Sequence, residues 1–138
     1  MSMPIELPYE TCLELLSTRE VGRVAVCTVD GPRIVPVNFS VVDESVVFRT
    51  TPYSVVGMHS WSGRLAFEVD DVDVERRAGW SVIATGRGKV VEDSAELRRI
   101  ESAPGPTPWA SGQRWLYVRL AWDELTGRRL GPAATPVD

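Results

Sequence analysis

The stretch Asp30-Gly31-Pro32-Arg33-Ile34-Val35-Pro36-Val37-Asn38-Phe39-Ser40-Val41-Val42 decides the fold. Val35, Val37, Phe39 and Val41 recur at every second position, with Pro36, Asn38 and Ser40 between them. A period of two puts the two sets on opposite faces of one strand, a core face and a face of another kind. Pro36 has no N–H for a ladder hydrogen bond, so it marks a sheet edge, a bulge, or backbone that faces a ligand. Asp30-Gly31 is a hairpin signal, because Gly reaches the positive φ that a tight connection requires.

Outward from this strand the chain stays rich in β-branched residues. Val21–Thr28, Arg33–Val42, Ser45–Thr50, Arg64–Asp70, Gly79–Val91 and Gln113–Trp122 read as six strands. Asp43-Glu44 joins the second to the third as compactly as Asp30-Gly31 joins the first to the second. Leu65, Phe67 and Val69, and later Leu116, Val118, Leu120 and Trp122, form core-facing rows. Pro8 followed by Cys12, Leu15 and Leu16 predicts a helix that ends before Gly22. A second helix is expected over Ser54–Trp61, and a third starts at Asp93, where Glu96 supplies a capping-box partner. Pro104, Pro106 and Pro108 mark an extended loop.

Antiparallel strands in hairpin order are best closed into a barrel, since closure removes exposed edges; an open sandwich is the other arrangement. The expected fold class is therefore mainly β, with six antiparallel strands and short peripheral helices. One domain covers residues 1–130, and residues 131–138 form a tail with little to bury and are expected to be flexible.

Composition narrows the function. At 138 residues the chain has room for one core, and 43% apolar with 25% charged residues is ordinary for a packed domain. The 15 Lys and Arg are scattered through a chain of net charge -4, so nucleic acid is not an expected partner. Met1–Glu10 lacks the features of a secretory signal and no apolar run is long enough to span a membrane, which places the protein in the cytoplasm with no membrane partner.

Catalytic motifs are sparse. Cys12 and Cys27 form no CxxC pair and read as two buried thiols. The sole histidine, His59, falls in a predicted helix with no nucleophile elbow elsewhere. Asp70, Asp71, Asp73 and Glu75 resemble a calcium loop only superficially, because Arg76 stands where such a loop needs Gly; the run reads as a solvated connection, and no metal is expected. Gly86 and Gly88 sit inside a strand, where they mark a bulge or a close packing point and not a phosphate loop.

A more informative set runs Arg33 to Phe39, Val47-Phe48-Arg49-Thr50-Thr51, Phe67-Glu68-Val69-Asp70 and Gly79-Trp80-Ser81-Val82. In this order it resembles the pyridoxamine-5'-phosphate-oxidase-like family. Pro108-Trp109-Ala110, Arg114 and Thr126-Gly127-Arg128-Arg129 are similar to the ending of its actinobacterial-type members. The resemblance runs from about Leu13 to Leu130 and implies a homodimeric, six-stranded split barrel with flavin sites between the subunits. It implies that the backbone at Val35, Pro36 and Val37 runs along the isoalloxazine ring, that Arg49, Thr50 and Thr51 reach its edge and the ribityl phosphate, and that Ser54 follows them. Trp80, Ser81 and the loop at Trp109 approach the site, in one arrangement from the partner subunit.

The residue chemistry suits such a ligand. An Arg-Thr-Thr cluster at a strand end offers charged and hydroxyl donors to phosphate, and Trp rings offer flat surfaces for a planar ligand. One departure stands out: members that hold FMN tightly carry Gly-Ser-Lys after the Arg-Thr strand, and this chain has Tyr53-Ser54-Val55. Losing that charge-assisted contact costs about 1.5–3 kcal/mol, roughly ten- to a hundredfold in affinity. Each residue also has a structural reading. Arg49 pairs with Glu68 or Asp70, Thr50 and Thr51 serve as strand formers, Trp80, Trp109 and Trp115 pack, and Ser54 caps a helix.

The functional expectation is an FMN-dependent oxidoreductase whose side chains position and polarise the ring. The alternative is a non-catalytic module that carries a deazaflavin, a tetrapyrrole or another small planar ligand.

Overall fold

The computed structural model describes residues 3–51, 54–59, 63–103 and 116–131. Its elements are β1 (Ile5–Glu6), α1 (Tyr9–Leu16), β2 (Val21–Thr28), β3 (Gly31–Val41), β4 (Ser45–Thr50), α2 (Val55–His59), β5 (Arg64–Asp73), β6 (Ala78–Val90), α3 (Ser94–Ser102) and β7 (Leu116–Leu130). The strands follow the order β1-β7-β4-β3-β2-β5-β6, and a further β6–β7 pairing closes six of them into a ring. All pairings are antiparallel. The barrel is the expected one, with the two-residue β1 added to the outside of β7 as a seventh strand that periodicity could not reveal.

Alternation fills the barrel. Val24, Val26, Phe48, Leu65, Phe67, Val69, Val82 and Leu120 are fully buried or nearly so, and each such side chain contributes roughly 1.5–3 kcal/mol through removal from water. Phe39 and Phe67 meet edge to face across the interior at 4.7 Å. At one end α1 presses Cys12 and Leu16 into the core. Outside the barrel, α3 seals Val47, Val91 and Ile100 into a second cluster. Asp93 caps this helix as predicted, its carboxylate accepting the Glu96 N–H at 2.9 Å.

Both hairpins close tightly. Gly31 adopts φ 111°, and Thr28 Oγ1 donates to its carbonyl at 2.7 Å. Asp43 and Glu44 both take positive φ, 49° and 56°, and Val42 and Ser45 exchange two backbone hydrogen bonds around them. That is the primed two-residue geometry, reached here without glycine.

Several boundaries differ from expectation. β7 runs on to Leu130 and does not stop at Trp122. Its alternation slips by one at Asp123, because Thr85 opposes Glu124 while Gly86 opposes Trp122, a one-residue bulge. The inward row therefore passes from Trp122 to Leu125 and Gly127. Gly86 meets the bulge closely: a Cβ there would lie 2.4 Å from the Ala121 carbonyl oxygen. Most of the acidic run is strand and not connection, since Asp70, Asp71 and Asp73 belong to β5, while Glu75 lies in the turn that follows. Cys12 is buried, but Cys27 is exposed on the outer face of β2. α2 is described over Val55–His59, its expected end at Trp61 lying outside the described residues, and the His59 ring Nδ1 lies 2.7 Å from the Val55 carbonyl oxygen. No described helix is long and apolar enough to cross a membrane.

Candidate functional site

The wall opens beside β3. Its pairing with β2 runs from Gly31 to Asn38, whereas pairing with β4 spans only Phe39 to Val41. Among the described residues no strand lies along the other side of Gly31–Asn38. The Phe39 N–H points toward the β2 side, donating to the Glu20 carbonyl at 3.2 Å. Alternation then turns the bonding groups of Arg33, Val35 and Val37 toward β2 and those of Pro32, Ile34, Pro36 and Asn38 toward the open side. Pro32 and Pro36 sit where a missing N–H costs no ladder bond. The open edge offers the N–H group of Ile34 among a series of carbonyls. Of the expected segment Val35–Val37, it is Pro36 that presents its backbone there, while Val35 and Val37 pack their side chains against the core.

Arg49 leaves the outer face of β4, opposite Tyr117 on β7, with its guanidinium 5.2 Å from the Tyr117 ring centroid. Its predicted pairing with Glu68 or Asp70 is replaced: Arg23 takes both carboxylates, each at 3.4 Å. On the same outer face, Ser40 opposes Val47, and its Oγ is buried with no partner among the described residues. A buried orphan hydroxyl two positions along from a guanidinium suits a ligand oxygen. Arg119 holds the flank of this face, donating to Glu96 and to Ser45 Oγ at 2.8 Å each.

Thr50 and Ser54 point elsewhere. Thr50 is 4% exposed, and its hydroxyl lies 2.7 Å from Ser54 Oγ. Ser54 Oγ donates to the Thr51 carbonyl at 2.8 Å and accepts the Gly57 N–H at 2.9 Å. Ser54 is thus the cap of α2, and Val55, which stands in place of the phosphate-binding lysine, opens that helix. Thr51 is half-buried just past the end of β4.

Trp80 and Ser81 lie on β6, away from Arg49. Trp80 turns inward against the core, with the Arg19 guanidinium 6.0 Å from its ring. Ser81 faces outward into a groove of about 540 Å³ that it shares with Ile83, Thr126 and Arg128. On one side β7 separates the two groups, with Tyr117 opposite Arg49 near its start and Arg128 opposite Ser81 near its end. On the other side β3, β2 and β5 intervene, about four interstrand steps or roughly 19 Å around the wall. Arg49 and Ser81 of one chain cannot touch the same ring. Trp109, Arg114 and Trp115 lie outside the described residues. Sequence reasoning passed over Ser40 and Tyr117, which look like ordinary strand residues until the register places them around Arg49.

A closed antiparallel barrel with a parted seam and an arginine beside the parting defines a split barrel. Residues 8–129 match the model of the pyridoxamine 5'-phosphate oxidase family, and the chain belongs to that family. It is 32% identical over 131 residues to the uncharacterised protein Rv0080 of Mycobacterium tuberculosis, covering 91% of this chain and 85% of that one. Among solved structures it is similar to the FAD binding protein from Mycobacterium smegmatis, with 31% identity, TM-score 0.78, and coverage of 92% of this chain and 98% of that one. A putative pyridoxamine 5'-phosphate oxidase from Corynebacterium glutamicum is also similar, with 26% identity, TM-score 0.80 and 96% of each chain covered.

Proposed function

We propose that the protein binds a flavin along the open β3 edge and works as a flavin-dependent oxidoreductase in the form of a homodimer. The observation that carries this reading is the β3 edge over residues 31–37 beside Arg49, along whose far side no described strand lies. The polar edge of an isoalloxazine ring presents two carbonyl acceptors on either side of one N–H donor. The Ile34 N–H and carbonyl, adjacent on that edge, form a donor–acceptor pair that suits one ring carbonyl and the ring N–H in kind. Arg49 provides a planar cationic donor for a phosphate or an anionic ring edge, and Ser40 Oγ provides a second polar atom on its face. A bound flavin supplies the hydride or electron transfer, and the chain's own groups bind, orient and polarise it.

The separation of Arg49 and Ser81 supports the homodimer. If Trp80 and Ser81 take part in the site, those of the partner subunit must close it. The flavin is FMN, FAD or a deazaflavin coenzyme; the similar Mycobacterium smegmatis protein is described as FAD binding. The engaged hydroxyls of Thr50 and Ser54, with Val55 at the lysine position, favour a second reading in which the barrel carries its planar ligand without turnover.

Titration of the purified chain with FMN, FAD and a deazaflavin tests both readings. Saturable binding with a rise in melting temperature, weakened roughly ten- to a hundredfold by Arg49→Ala, supports the site. No binding and no thermal shift with any of them ends the flavin reading. Binding without turnover over a panel of reduced nucleotides selects the carrier.

A further inference from the structure

At the β5–β6 end of the barrel is a hollow of about 450 Å³ bordered by Asp71, Asp73, Glu75, Arg76, Trp80 and Arg129. That volume suits a small organic ligand. Trp80 and Arg129 are register partners on β6 and β7. The Nε of Arg129 is buried and has no hydrogen-bond partner among the described residues. A buried donor without an acceptor is costly, and a guanidinium is best satisfied by phosphate or carboxylate oxygens.

The acidic residues of the hollow are partly engaged. Asp71 pairs with Arg19 at 3.7 Å, and Asp73 Oδ1 accepts the Arg76 N–H at 3.1 Å. Trp80 thus lies between Arg129 on β7 and Asp71 on β5, with the Arg19 guanidinium 6.0 Å from its ring centroid, and Asp73 and Glu75 continue the lining.

We propose that this hollow binds a nucleoside 5'-phosphate group, with the phosphate at Arg129, the base against Trp80 and the ribose hydroxyls toward the carboxylates. Each part of the lining meets a part of such a ligand: guanidinium with phosphate, indole with base, carboxylate with ribose hydroxyl. A bare anion leaves Trp80 and most of the volume unused, and a metal cation is repelled by Arg76 and Arg129. Two molecules carry this chemistry, the adenylate half of FAD and a reduced nicotinamide nucleotide. Only the choice between them rests on the flavin reading, because AMP needs no flavin to bind.

Calorimetric titration of the full chain with AMP and with adenosine is the test. AMP binds saturably and adenosine about tenfold more weakly or worse, since a charge-assisted contact is lost. Arg129→Gln loses a similar factor for AMP, and Arg129→Lys recovers part of it. No binding of AMP at millimolar concentration, or equal binding of AMP and adenosine, overturns the site; that comparison uses the unaltered chain and holds even if Arg129→Gln does not fold. Equal AMP binding by a folded Arg129→Gln overturns it as well. If Arg129→Gln weakens FAD but not FMN, the ligand is the flavin's own adenylate. If it raises only the KM for the reduced nucleotide, the ligand is the co-substrate. AMP binding without flavin binding sinks the proposed function and leaves this site standing, and flavin binding without AMP binding does the reverse.

Discussion

Two walls of the same barrel are built to different standards. β6 and β7 pair from Gly79 to Val90 and carry on through a bulge, while β3 and β4 are joined only from Phe39 to Val41. The long wall contributes more of the core than the β3–β4 seam does, and the short seam exposes backbone. A closed sheet can leave part of one strand unpaired when the rest of the ring is continuous, and unpaired backbone is what a planar polar ligand needs. Under the proposed function, stability and recognition fall to different strands.

The largest test of that division is Phe67→Ala on the β5 side. Phe67 is fully buried and touches Phe39 on the seam strand, so urea unfolding should show a loss of about 3–5 kcal/mol. A loss below about 1 kcal/mol would mean that the ring does not join wall to seam. Next comes Gly86→Val, which drives a side chain into the backbone of β7 at the bulge; overpacking of this kind costs about 1–3 kcal/mol. A neutral result would show the bulge to be pliable.

A smaller effect of opposite sign is expected at the seam hairpin. Glu44 takes φ 56° without being glycine, and Glu44→Gly relieves that strain while losing the exposed 2.9 Å bond from the Tyr9 hydroxyl. The net gain is under about 1 kcal/mol, and any destabilisation would mean that the Tyr9 contact outweighs the turn. The smallest effect is a pH dependence at the bulge. Arg64 grips Asp123 through two hydrogen bonds of 2.9 and 3.0 Å, which with their charge attraction hold this carboxyl below the ordinary carboxylate range. The stability it contributes is present above its unfolded pKa and lost as pH falls through its lower folded pKa. Asp123→Asn should thus destabilise slightly at neutral pH, and the difference from the unaltered chain should shrink on strong acidification. A difference that persists in acid would assign the effect to something other than this pair.

The contrast between the walls also marks what could be read in advance. β2 and β4 have the expected boundaries because both are bounded by turns and keep one alternation throughout. β7 was cut short at Trp122 because the bulge at Asp123 shifts the inward row by one residue, and a period of two cannot be followed across such a slip. The edge character of β3 was legible in Pro36, whose missing N–H allows few places. Which neighbours surround Arg49 was only partly legible: Ser40 follows from the register of the expected hairpin, whereas Tyr117 reaches it through a pairing distant in sequence and Arg23 displaces it from Glu68 and Asp70. The inward turn of Thr50 follows from strand parity, but Arg-Thr-Thr read as a motif hides that two successive side chains must leave opposite faces.

An uncovered strand edge is ordinarily a template on which another chain can add a strand, the first step toward fibrous self-assembly. Pro32 and Pro36 fall on the side of β3 that such a recruit would have to meet, and each removes a donor from its ladder. The opening can thus stay accessible to a small molecule while refusing a polypeptide, so that solubility at the parted seam is secured by the two residues that leave it unzipped.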